Sequence, residues 1–111
     1  MNDNDPNPDL CFEVSTPLGF CVRVTHAYWD VIVNIKHPVM TGREVDVKNT
    51  LAQPDEIRRS RSDAQVYLFY RAEPLGRWVC AVSKQVDETY GFLITADPTD
   101  AVNEGVTVWH K

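Results

Sequence analysis

The chain of 111 residues is 43% hydrophobic and 10% aromatic, enough for one packed core and too short for two ordinary domains. A net charge of -5 excludes a protein that is basic throughout, and no run approaches the roughly eighteen apolar residues of a membrane span. Cys11, Cys21 and Cys80 are an odd set without metal-ligand spacing, so buried free thiols are expected rather than a disulfide scaffold.

Residues 1–9 hold almost nothing that could be buried, so a loose tail is expected ahead of a single domain over 10–111. The same stretch lacks the basic and apolar regions of a secretory leader, which points to a soluble cytoplasmic protein with no membrane partner. Leu10 to Thr25 reads as a β-hairpin around Pro17-Leu18-Gly19, with proline presetting φ and glycine supplying the left-handed position. Pairing Thr16 with Phe20 sets Val14 against Val22 and Phe12 against Val24 on one face, and Glu13 against Arg23 on the other. Cys11 and Cys21 are then not partners.

Thr25 is placed to cap a helix over His26 to Lys36, where Tyr28, Trp29, Ile32, Val33 and Ile35 make a broad apolar stripe, and Pro38 ends it at His37. Thr41 and Glu44 have the spacing of a capping box for a second helix running to about Ala52, stopped by Pro54. The period then changes. Val66–Arg71, Trp78–Lys84 and Tyr90–Ala96 are rich in β-branched and aromatic residues and form an antiparallel meander. Pro74-Leu75-Gly76 joins the first two; pairing Glu73 with Arg77 sets Leu68 against Val82 and Tyr70 against Cys80. Val106, Val108 and Trp109 offer an edge strand. The expected fold class is α+β: an N-terminal hairpin, two helices, then an antiparallel sheet with the helices on one face.

Charge is unevenly spread. Between residues 36 and 84 nine Lys/Arg face six Asp/Glu, a net of +3 that leaves -8 outside. No Walker loop, Cys-x-x-Cys, His-Glu-x-x-His or Gly-x-Ser-x-Gly motif is present, so neither a cofactor nor a metal is expected. His26, His37 and His110 are too scattered to build a metal site on their own. His37 stands at a helix C-terminus, where the dipole favours imidazolium; proton transfer and simple C-capping are both open to it. Arg58-Arg59-Ser60-Arg61 suits bidentate capture of phosphate, and equally a solvated basic turn paired with Asp55, Glu56 and Asp63. In Tyr67-Leu68-Phe69-Tyr70 one face of the strand can offer an aromatic platform while the other packs inward. Lys84 and Thr95 are the other polar groups that a sheet face could present.

The order Lys36-His37-Pro38, Pro54-Asp55-Glu56-Ile57-Arg58-Arg59-Ser60, Val66-Tyr67-Leu68-Phe69-Tyr70, Val82-Ser83-Lys84 and Gly91-Phe92-Leu93-Ile94-Thr95-Ala96 resembles small bacterial and phage proteins of the barnase–EndoU–colicin RNase–RelE superfamily. The resemblance covers roughly residues 20 to 109 and implies a RelE/barnase-like fold. It also implies a metal-independent RNA endonuclease, with RNA as ligand and a small antitoxin protein as the partner of a toxin–antitoxin pair. By matching positions it makes His37 the acid/base, Arg58 and Lys84 the cations, and Thr95 and Ser60 hydroxyls that orient the phosphate. Arg59 and Arg61 add to phosphate binding, and Tyr70 stacks on or hydrogen-bonds a base. Two departures stand out: Asp97 occupies a position where such relatives carry an aromatic residue, and the isoelectric point near 5.0 is low for a protein that captures RNA. Both favour the rival expectation, a non-catalytic RNA- or protein-binding accessory module on the same fold.

Overall fold

A computed structural model describes residues 9–111; the tail expected over residues 1–9 thus lies, up to residue 8, outside the described residues. At its junction Asp9 accepts a hydrogen bond from the His26 amide through its carbonyl, at 2.8 Å.

The chain builds β1 (Leu10–Ser15), β2 (Cys21–Thr25), α1 (His26–Val31), α2 (Glu44–Ala52), β3 (Glu56–Arg59), β4 (Val66–Glu73), β5 (Arg77–Gln85), β6 (Tyr90–Thr99) and β7 (Val106–His110). They form one α+β unit: a seven-stranded sheet in the order β1-β2-β6-β5-β4-β3-β7, with the two short helices against one face. The first hairpin has the register set by its turn, with Val14 opposite Val22, Phe12 opposite Val24 and Glu13 opposite Arg23. Gly19 takes φ +93° as the turn demands. The β4–β5 hairpin likewise pairs Glu73 with Arg77, Tyr70 with Cys80 and Leu68 with Val82.

Four expectations need correction. The sheet is mixed, because β2 runs parallel to β6 and joins the hairpin to the meander as one surface. The basic segment 58–61 is not a turn ahead of the sheet: Glu56–Arg59 is itself a strand between β4 and β7, nailed down by the buried Ile57 opposite Trp109. The first helix does not remain α-helical to Lys36, since Ile32–Lys36 widens into a π-turn. The extra residue per turn swings Ile35 out to 75% exposure while Trp29, Ile32 and Val33 stay buried. The capping box does not form either. Thr41 Oγ1 donates back to the Pro38 carbonyl, and Arg43 becomes the N-cap residue, its side chain donating to the Asp46 carboxylate at 2.8 Å rather than capping the helix backbone.

The main core lies between the helices and one sheet face: Trp29, Ile32, Met40, Val47 and Leu51 pack on Phe20, Val22, Phe69, Ala81, Leu93 and Ala96. Strand alternation leaves Leu68, Tyr70, Cys80 and Val82 on the opposite face, where Val102 from the β6–β7 loop covers them as a second, smaller cluster. Cys80 is buried, Cys11 and Cys21 are half-buried, and all three thiols are free.

Candidate functional site

The face away from the helices holds a groove in two adjoining lobes. The larger, about 450 Å³, is lined by Ser60, Arg61, Ser62, Val66, Leu68, Val82 and the loop residues Asn103–Gly105. The smaller, about 220 Å³, runs on over Tyr70, Cys80, Thr95, Asp97 and Thr99 and shares Leu68, Val82, Asn103 and Glu104 with the first.

Thr95 reaches this groove through a local irregularity. With strict alternation Leu93 and Thr95 would share a face. Instead β6 shifts register between Leu93 and Thr95, opposite Ser83 and Val82, so Ile94 is an extra residue. Leu93 points into the core and Thr95 lines the groove. The Ile94 carbonyl left by the bulge accepts hydrogen bonds from the Tyr28 hydroxyl at 2.8 Å and from Lys36 Nζ at 3.2 Å. Thr95 Oγ1 is buried with no hydrogen-bond partner among the described residues.

Arg58 and Arg59 leave β3 on opposite sides, as neighbours in a strand must. Arg58 sits beside Leu68 on the groove face; Arg59, opposite Tyr67, is exposed on the other. The Arg58 guanidinium is fully engaged at its ends. It donates to Glu56 Oε2, to the Val102 carbonyl and to the Gly105 carbonyl, each at 3.2 Å, while its Nε is buried without a partner. Arg61 has no carboxylate within ion-pair distance among the described residues and lines the groove beside Ser60, whose hydroxyl lies 3.1 Å from that of Ser62. Of the two open readings of the basic segment, Arg58 follows the acid-paired one and Arg61 the unpaired one.

Tyr70 is buried at 2% exposure and adjoins Cys80 across the hairpin. Burial raises both groups: the phenol well above its ordinary value, the thiol up to about 12, with the Asp97 charge adding to the latter. Cys80 is therefore an inert thiol. Burial also lifts the Asp97 carboxyl, an effect that His37 opposes and Glu104 reinforces. His37 lines neither lobe of the groove, though its charge acts on the Asp97 carboxyl. Its amide closes the π-turn onto the Ile32 carbonyl at 2.7 Å, and its carbonyl receives the Met40 amide as the chain enters a short 3-10 turn, Pro38–Met40. Lys84 caps the far end opposite Val66 and is paired with Asp63 at 3.3 Å.

Arg58, Ser60, Arg61, Tyr70 and Thr95 thus share one face, Lys84 flanks one end of it, His37 lines neither lobe, and Arg59 is turned away. Asp97, singled out in the sequence only as a departure from an aromatic residue, lines the groove, and Asn103 and Glu104 are the lining residues missed altogether. Alternation from Thr95 could have found Asp97; nothing local marks Asn103 and Glu104, which come from a loop. Among the described residues no three His, Cys, Asp or Glu side chains converge as metal ligands would. No protein-family model, curated protein or solved structure matches the chain.

Proposed function

We propose that the groove is the active site of a metal-independent RNA endonuclease with a RelE/barnase-like arrangement, acting as the toxin of a toxin–antitoxin pair. The observation that carries this reading is the gathering of Arg58, Ser60, Arg61, Tyr70 and Thr95 on the sheet face away from the helices, where Asp97 also lines the groove and its carboxyl feels the His37 charge. In such a reaction the ribose 2′-oxygen bonds to phosphorus as its proton passes to a base. The P–O5′ bond breaks as an acid protonates the leaving oxygen, giving a 2′,3′-cyclic phosphate and a 5′-hydroxyl. His37 and Asp97 are the proton-transfer groups. Thr95, Ser60 and Arg61 hold phosphate oxygens, Tyr70 forms part of the floor below the base, and Arg58 and Lys84 oppose the charge that builds on the phosphorane.

The test is incubation of purified protein with end-labelled RNA in chelator. Cyclic-phosphate ends are expected, with a loss of about 10²-fold or more in His37→Ala. Cleavage that survives both His37→Ala and Arg58→Ala overturns the assignment. A second reading, a binding module without turnover, is favoured by a separate observation: Arg58 and Lys84 are already paired, and Asp97 and Glu104 line the groove. RNA or a small protein bound by the purified protein, with all RNA left intact after long incubation, would establish that reading.

A further inference from the structure

The loop between β6 and β7 lies down on the sheet. Val102 packs on the Leu68, Tyr70 and Cys80 cluster, and the Val102 and Gly105 carbonyls each hold an end of the Arg58 guanidinium at 3.2 Å. The loop has a fixed point at each side. Asp100 pairs with Arg77 at 3.0 Å, and Gly105, at φ +76°, passes so close to β3 that a Cβ there would stand 2.4 Å from the Arg59 carbonyl oxygen. Between these points Glu104 lines both lobes of the groove, and its charge acts on Tyr70, Cys80 and Asp97 together.

The loop therefore does two things to one face. It occupies Arg58, leaving Arg61 as the unpaired arginine of the groove among the described residues, and it adds a carboxylate where a phosphate would have to lie. We propose that residues 100–105 form a strap that holds the groove closed and must lift before a phosphate-bearing ligand reaches Arg58. This rests on reading the groove as a nucleic-acid site. The chemistry favours exchange: the strap offers the guanidinium two neutral carbonyls, whereas a phosphate offers charged oxygens in bidentate geometry, a stronger match for the same donors. The latch is also small, two hydrogen bonds and one valine, so a ligand can displace it without disturbing the helix-covered core. Binding is weakened by the fraction of molecules that are closed, and loosening the strap should restore it.

Val102→Ser removes the apolar anchor and leaves every phosphate-contacting side chain in place. Three quantities are read on the full chain: hydrogen exchange at the amides of 101–105, affinity for inorganic pyrophosphate, and affinity for a short RNA. Faster exchange confined to the strap and about tenfold tighter binding of both ligands are expected, the gain being lost in Val102→Ser/Arg58→Ala. Pyrophosphate bound more tightly while RNA is neither bound nor cut supports the strap and overturns the nucleic-acid reading. RNA bound equally by the wild type and the variant overturns the strap and leaves that reading standing. Faster exchange with no gain for either ligand also overturns the strap. Should Val102→Ser fail to fold, Glu104→Gln removes the strap's carboxylate alone; a few-fold gain in affinity is expected, and unchanged affinity counts against the proposal.

Discussion

The two faces of the sheet are built on opposite principles. Against the helices, Phe20, Phe69, Ala81, Leu93 and Ala96 are wholly or almost wholly buried in one apolar cluster, with Phe20 and Phe69 rings edge to face at 6.4 Å and Ser83, opposite Leu93, as a buried hydroxyl among them. Across the same strands, Arg58, Tyr70, Thr95 and Asp97 are covered by a loop rather than a helix, and two of their polar atoms, Arg58 Nε and Thr95 Oγ1, have no partner among the described residues. Ser83 Oγ and Glu44 Oε1 on the helix side are unpaired among the described residues as well, so what separates the faces is the apolar burial that offsets such groups, which is concentrated against the helices. The difference assigns structure to one side and leaves the other as the side on which the proposed ligand chemistry would take place.

The largest effect that can break this division is on the helix side. Phe69→Ala should cost about 3–5 kcal/mol, read from the urea midpoint at unchanged slope. A loss no greater than that of Tyr70→Phe, expected at about 1 kcal/mol, would mean that the faces share the load evenly. Gly105→Ala comes next. A methyl group would meet the Arg59 carbonyl oxygen in a backbone conformation that only glycine adopts freely, so a loss of about 1–3 kcal/mol is expected. Exchange should rise along β3 and the strap before β2 or β6 is affected.

Two smaller changes sharpen the comparison by gaining stability. Leu75 sits at φ 67° and is 98% exposed, so Leu75→Asn loses no packing and relieves a left-handed leucine, for a gain of about 0.5–1 kcal/mol in denaturant titration. Asp97→Asn should gain about 0.5 kcal/mol at neutral pH, a figure kept low because the carboxyl is half-exposed and solvent screens it. The sign follows from its raised pKa in the folded state: the ionised carboxyl destabilises the fold above that value, and the penalty fades as pH falls through it toward the ordinary carboxylate range. Asp55 behaves in the opposite sense. The Ala72 amide and Lys111 hold its carboxyl below the ordinary value. Its contribution is present above the ordinary carboxylate range and is lost as pH falls through the lowered value, so Asp55→Asn should weaken the protein at pH 7 and cost little in acid. Stability curves of the two variants that moved in the same direction with pH would contradict the contrast.

Much of the helix side was legible in the sequence because its signals are local. Each Pro-Leu-Gly turn fixes the register of the strands it joins, and Pro54 bounds α2 as expected. Strand β3 was hidden because only Ile57 among Glu56-Ile57-Arg58-Arg59 is apolar, and its pairing with both β4 and β7 is a tertiary effect. The parallel contact of β2 with β6 joins segments too distant for any pattern to register. The groove was partly legible: Arg58, Ser60, Arg61, Tyr70 and Thr95 do share a face. Yet Thr95 arrives there by a bulge, Arg59 leaves by alternation, and Arg58 arrives already bound to a loop that carries no local signature.

The most direct measurement is to titrate isotope-labelled protein with a short RNA and follow the backbone amides. Shifts concentrated at Leu68, Tyr70, Thr95, Asp97 and residues 102–105, with α1 and α2 unmoved, are the predicted result. Saturable shifts on the helices with the groove and strap unchanged would contradict the division of labour between the two faces.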